Sequence, residues 1–121
     1  MDNKSITIKI NSIIDHGTKK YGYRLTISKN GLKETKTKLY QATDFLDVNK
    51  KSAMLKGIID SLKLALKLQI QTLNLYLEDD TFIKLTKETT VARSNLALQA
   101  LDLYKSCIKK NITINLNTYN I

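Results

Sequence analysis

Proline and tryptophan are absent from this 121-residue chain, and cysteine and histidine occur once each. A lone thiol, Cys107, cannot close an internal disulfide, and no Cys/His cluster is available to hold zinc. Cys107 stands among apolar residues of an expected helix and reads as a core residue. His16 is the sole histidine, in a turn-like segment with no apolar wall to tune it as a general acid or base. Ser61 and Ser94 have no base in prospect, and four glycines do not compose a phosphate-binding loop.

Long apolar runs are also missing. Lys63 and Lys67 interrupt the richest one, well short of the roughly 20 residues that a membrane span needs. The N-terminal MDNKSITIKI alternates polar and apolar residues and has no continuous apolar block of the signal-peptide kind, so a cytoplasmic protein is expected. Hydrophobic residues at 42% and charged residues at 26% are enough for a packed core and argue against a mainly disordered chain. The length fits one domain, spanning 1–121.

Acidic charge is in short supply: 20 Lys+Arg face 11 Asp+Glu, giving +9. Guanidinium is scarcer still, since Arg24 and Arg93 are the only arginines. Lysine meets phosphate as a point charge, whereas base readout more often uses the arginine fork, so any DNA or RNA binding should be weakly sequence-specific. A second source of the bias is A+T-rich coding DNA, which enriches Lys, Asn and Ile without any function. Together with the missing proline, it fits a low-G+C bacterium, its phage or another mobile element.

Along the chain, Ile6, Ile8 and Ile10 alternate with Thr7, Lys9 and Asn11, predicting a first strand from Ser5 to Ile14. Asp15–Lys20 carries turn chemistry, and Tyr21–Ser28 resumes as a strand. Asn30-Gly31 tolerates the positive φ of a type I′ turn and should close a hairpin onto a third strand, Leu32–Leu39. The lysines of that strand suit a sheet edge. A connection, Gln41–Asn49, offers Phe45, Leu46 and Val48 to the core, and Asn49 or Ser52 can cap the helix that follows. Leu55, Ile58, Ile59, Leu62, Ala65 and Leu66 form its apolar stripe, leaving Lys56, Asp60, Lys63 and Lys67 to solvent.

After a turn at Gln69–Thr72, Leu73–Leu77 reads as a strand buried on both faces beside a parallel neighbour. Thr81–Lys87 is a short helix or loop. Thr89 or Thr90 can start a second long helix ending near Lys110 at Asn111, with Leu96, Ala97, Ala100, Leu101, Tyr104, Cys107 and Ile108 inward. Ile112–Leu116 is the last strand. The order is βββαβαβ, an α/β fold with a meander leading into parallel crossovers.

That order, with the segment GIIDSLKLALKLQIQTLNLYLEDDTFIKL from Gly57 to Leu85, resembles the ribonuclease H-like superfamily over almost the whole chain. The resemblance implies a five-stranded mixed sheet flanked by helices. It also implies two divalent metals held by carboxylates on the first strand, the first helix, the end of the fourth strand and after the fifth. Two metals stabilise the attacking and leaving oxygens of a phosphodiester, so several close carboxylates are required.

Here Asn11 stands at the first-strand position and Met54 or Ala53 at the helix position. Glu78, leading Asp79 and Asp80, replaces the fourth-strand aspartate, and NITINLNTYNI supplies no final acid. An extended first strand would instead bring Asp15 near Glu78 as an alternative metal pair. The expectation is a domain without cofactor or catalysis, in which Lys19, Lys20, Lys33, Lys36, Lys38, Lys50 and Lys51 track a phosphate backbone and Tyr21 and Tyr23 stack bases. Two alternatives stay open. One is a protein-binding or homodimeric subunit of a phage, plasmid or mobile-element system, and the other an active metal-dependent nuclease.

Overall fold

The computed structural model describes residues 5–44, 48–88, 90–92 and 94–119. Three antiparallel strands open the chain: β1 (Ser5–Asp15), β2 (Lys20–Lys29) and β3 (Leu32–Gln41). The β2–β3 turn has Asn30 at φ 52° and Gly31 at φ 81°, the paired positive values that a type I′ hairpin requires. β3 is almost entirely exposed and forms one sheet edge, as its lysines predict.

Helix α1 (Lys50–Leu68) follows, with the Asn49 side chain accepting from the Ser52 N–H at 2.8 Å as its N-cap. Of the connection's expected anchors, Val48 is buried, and Phe45 and Leu46 lie outside the described residues. β4 (Thr72–Leu77) pairs in parallel with β1 on one side and with β5 (Thr113–Thr118) on the other. The sheet order is therefore β3-β2-β1-β4-β5.

Three details differ from the sequence expectation. β4 buries Leu73, Leu75 and Leu77 against the helices, but Thr72, Asn74 and Tyr76 on its other face are only half-buried. A short helix, α2 (Thr81–Thr86), falls within the expected Thr81–Lys87 segment and precedes α3 (Asn95–Lys109). The cap of α3 is Ser94, whose Oγ accepts from the Ala97 N–H at 3.1 Å, not Thr90; Thr89 lies outside the described residues. On α3, Ala97, Ala100 and Cys107 are buried, whereas Ile108 is exposed rather than inward. Asn111 ends the helix at φ 64°.

The core lies between α1 and the sheet: Ile6, Ile8 and Ile10 from β1, Tyr23, Leu25 and Ile27 from β2, and Ile58, Leu62 and Ala65 from α1. Each large apolar side chain buried there contributes on the order of 1.5–3 kcal/mol. Gly57 sets the depth at which α1 sits, because a Cβ on it would come within 2.7 Å of Ile10 Cγ2 and 3.3 Å of the Tyr23 ring. Ser61, one turn on, is fully buried and returns its hydroxyl to the Gly57 carbonyl at 2.8 Å. Cys107 is core as expected, and burial pushes its thiol pKa up, which leaves it unreactive.

Candidate nucleic-acid interface

The parallel β1–β4 register brings Lys9 opposite Tyr76, so the next residues of both strands converge where β4 ends. There Glu78 turns its carboxylate onto Ser12. Oε1 accepts from the Ser12 hydroxyl at 2.6 Å and Oε2 from the Ser12 N–H at 3.1 Å. Lys50, in the first turn of α1, holds its Nζ 4.0 Å from Glu78 Oε1, and the Glu78 side chain is only 15% exposed. Both carboxylate oxygens are thus engaged.

The neighbouring acids serve other purposes. Asp79 accepts from the Thr81 N–H at 3.0 Å, and Asp80 sits 3.7 Å from Lys84 one helical turn away. Asp15 accepts from the Gly17 N–H at 3.1 Å within its own turn. Hydrogen bonds from Thr18 are the main cause of its lowered pKa. Three residues separate Asp15 from Ser12, about 10 Å of strand at ~3.3 Å each.

Asn11 has a different task from the one its position suggests. Its amide donates to the Tyr119 hydroxyl at 2.8 Å, and that hydroxyl donates to the Ile10 carbonyl at 2.7 Å. Burial, aided by the Glu78 charge, pushes the Tyr119 pKa up to about 12. Lys9 lies 4.5 Å over the same ring.

A second cluster forms where α1 crosses β2 and β3. Tyr23 is fully buried and donates its hydroxyl to Asp60 of α1; burial, then that bond, raises its pKa strongly. Tyr23 therefore cannot stack a base, and Asp60 is not a solvent-facing residue. Lys36 Nζ lies 3.8 Å from the same Asp60 carboxylate. Tyr21 and Tyr40 pack with ring centroids 5.6 Å apart, and Tyr40 is 6.3 Å from Tyr23. Lys56 sits 4.2 Å above Tyr40 and Lys38 5.6 Å from it, so both cations rest on one ring.

Lys19 and Lys20 stand where the β1–β2 turn runs into β2. Lys20 pairs with Gln41, and the Lys19 carbonyl accepts from the Ala42 N–H at 2.8 Å. Of the seven expected lysines, Lys36 and Lys38 lie in this strip and Lys50 at the Glu78 corner, while Lys20, opposite Gln41, falls by alternation on the other face of the sheet. Lys51 is an exposed neighbour in the first turn of α1. Lys33 alternates with Glu34 and Lys36 along β3 and so belongs to the opposite sheet face. Sequence reasoning missed Tyr40, Lys56 and Ser12. Lys56 and Asp60 are spaced i, i+4 at the margin of the apolar stripe of α1, and that spacing is the one signal available for them.

No known family and no curated protein matches the chain in sequence. Solved structures do. The chain is similar to the N-terminal RNase H domain of a Mycobacterium tuberculosis protein, solved as a fusion with maltose-binding protein. That match has a TM-score of 0.74 and 11% identity, over 97% of this chain and 88% of that one. It is also similar to RNase H1 from the halophilic archaeon Halobacterium salinarum NRC-1, with a TM-score of 0.67 and 6% identity, over 96% of this chain and 86% of that one.

The fold is ribonuclease H-like.

On a ribonuclease H-like fold the implied metals would lie at the Glu78 corner, and the donor set there does not suit them. Magnesium takes near-octahedral oxygen ligands, whereas this corner offers one carboxylate already bound by a hydroxyl, an amide and an ammonium. Among the described residues no three His, Cys, Asp or Glu side chains come together as a metal site. The β1 residue that meets Glu78 is Ser12 rather than Asn11. Met54 and Ala53 are buried in the core, and Lys50, one turn before Met54 on the same helical face, is what α1 presents. No helix among the described residues is long and apolar enough to cross a membrane.

Proposed function

We propose that this protein is a ribonuclease H-like domain that binds nucleic acid without cleaving it, serving as an accessory component of a larger system. The observation that carries this reading is the Ser12–Glu78–Lys50 arrangement, in which a side-chain ammonium stands beside the carboxylate that a metal would need. The lysine–tyrosine strip supports the binding half. Lys36, Lys38 and Lys56 gather over Tyr40 and Asp60, and the chain carries +9 overall. A backbone of phosphates is the complementary partner, held by charge rather than by base readout.

On this reading the chain works as one cytoplasmic domain, needs no cofactor, and belongs to a phage, plasmid or other mobile element. Fluorescence anisotropy with single-stranded DNA, single-stranded RNA and an RNA:DNA hybrid tests binding. Incubation of the hybrid with Mg²⁺ or Mn²⁺ tests cleavage. Salt-sensitive binding without cleavage supports the proposal. Absence of binding at low salt removes its first half, and cleavage that Glu78→Gln abolishes removes the second.

A further inference from the structure

The two edges of the sheet are protected very differently. β3 carries Lys33, Glu34, Lys36 and Lys38, the charge pattern that discourages strand addition. β5 reads TINLNT and has no charged side chain at all. Its inner side is satisfied: the Thr113 N–H donates to Gln71 at 2.8 Å and the Tyr119 N–H to Leu77 at 3.1 Å. Strand alternation then turns Thr113, Asn115 and Asn117 toward β4, and turns the backbone groups of Ile114, Leu116 and Thr118 outward. No described strand pairs with that outer side.

We propose that β5 is a self-association edge, on which a second copy of this chain pairs antiparallel to make one sheet of ten strands. The register is self-complementary. With Leu116 on the two-fold axis, Leu116 faces Leu116 of the second copy, and Ile114 faces its Thr118. All three outward residues fall in hydrogen-bonded pairs, each exchanging two bonds.

Side chains on the helix side agree with this. Ile114 and Leu116 are only half-buried in the monomer, and with Ile83 and Tyr104 they form the apolar part of a groove that Thr86, Lys87 and Asn117 also line. Leu101 and Ile108 lie at i−3 and i+4 from Tyr104, extending the apolar strip along α3, and Ile108 is 46% exposed. Two such strips meet when the strands pair.

Charge selects this approach over others. Two chains of +9 repel broadly, and the uncharged β5 keeps lysines out of the paired strands themselves, with Lys87 in the flanking groove. Antiparallel pairing also sends the two Lys109–Lys110 pairs, at the C-terminal end of α3, to opposite ends of the paired strands. A six-residue ladder with one helix flank is smaller than a standard interface of about 1,600 Å², so the dimer should dissociate in the micromolar range.

The experiment is sedimentation velocity on the full chain without nucleic acid, from about 1 to 200 µM, where a mass-action dimer must show its concentration dependence. The expected result is a rise from 13.8 kDa toward twice that mass, strengthened by added salt because salt screens the repulsion. Thr118→Pro deletes one outward N–H and no β4 bond, and Asn115→Lys places charge on the edge. Each should restore the monomer with an unaltered circular-dichroism spectrum, and Thr35→Lys on the β3 edge should not. A wild-type chain that stays monomeric throughout overturns the proposal. So does a dimer that survives Asn115→Lys, whatever the folding of Thr118→Pro.

Discussion

Ser12 gives both of its donors to one side chain: its N–H and its hydroxyl meet the two oxygens of Glu78 at 3.1 and 2.6 Å, locking the end of β1 to the end of β4. Hydrogen bonds to a charged acceptor contribute roughly 1.5–3 kcal/mol when shielded from water. Glu78→Gln replaces one acceptor by an NH₂ group that cannot accept from Ser12. We expect a loss of about 1–2 kcal/mol, the low side of that range because the site is partly open. Urea titration should show a lower midpoint at unchanged slope. Nucleic-acid affinity should hold or rise slightly, since Lys50 is released; a large fall in affinity would give Glu78 a direct part in binding.

The strip at Tyr40 predicts a salt signature. Lys36→Gln, Lys38→Gln and Lys56→Gln combined should flatten the slope of log K against log salt by about 2–3 units, if each lysine meets one phosphate. Lys33→Gln, on the opposite face of β3, serves as the internal comparison and should change the slope by less than any one of the three substitutions made alone. Equal effects per lysine removed would show that charge is sensed globally rather than at the strip.

Tyr23 and Tyr119 predict alkaline sensitivity. Both hold their protons more tightly folded than unfolded, so above the ordinary tyrosine value near 10 the unfolded chain ionises first. The folded state then binds more protons, and stability must fall as pH rises. For Tyr119 the loss runs from about 10 to about 12 and then levels. For Tyr23 it continues until the protein unfolds. Absorbance titration at 295 nm should find Tyr23 and Tyr119 ionising late, and Tyr23→Phe should flatten the alkaline decline.

Gly57 predicts a reversal of helix propensity. In an exposed helix Gly→Ala stabilises by about 1 kcal/mol. Here the added methyl meets Ile10 Cγ2 at 2.7 Å, on a fully buried β-branched side chain that has nowhere to move. Overpacking of this kind costs roughly 1–3 kcal/mol, so Gly57→Ala should be neutral to destabilising. A variant that melts higher than wild type would show that α1 can lift off the sheet freely.

Local chemistry made much of this fold legible. Asn30-Gly31 fixed the hairpin, the lysines of β3 marked an edge, and Asn49 announced the start of α1. The site was less accessible because its contacts are between distant segments. Whether Asn11 or Ser12 meets Glu78 depends on the parallel register and on how Glu78 turns after β4 ends, and no residue pattern in β1 encodes either. Asp60 looked solvent-facing because helical spacing places it beside lysines; only the crossing of α1 over β2 puts the Tyr23 hydroxyl under it. Sequence alone points to Thr89 or Thr90 where the structure uses Ser94, because several hydroxyl residues precede α3 and tertiary packing chooses where it starts.

Lys50 beside Glu78 carries one more meaning. A metal at such a carboxylate comes and goes with its concentration in the cell, and a chelator can strip it away. The cation here is covalently part of the chain, so its supply is fixed at synthesis. The corner that joins β1, β4 and α1 should keep its shape equally well in EDTA and in millimolar magnesium.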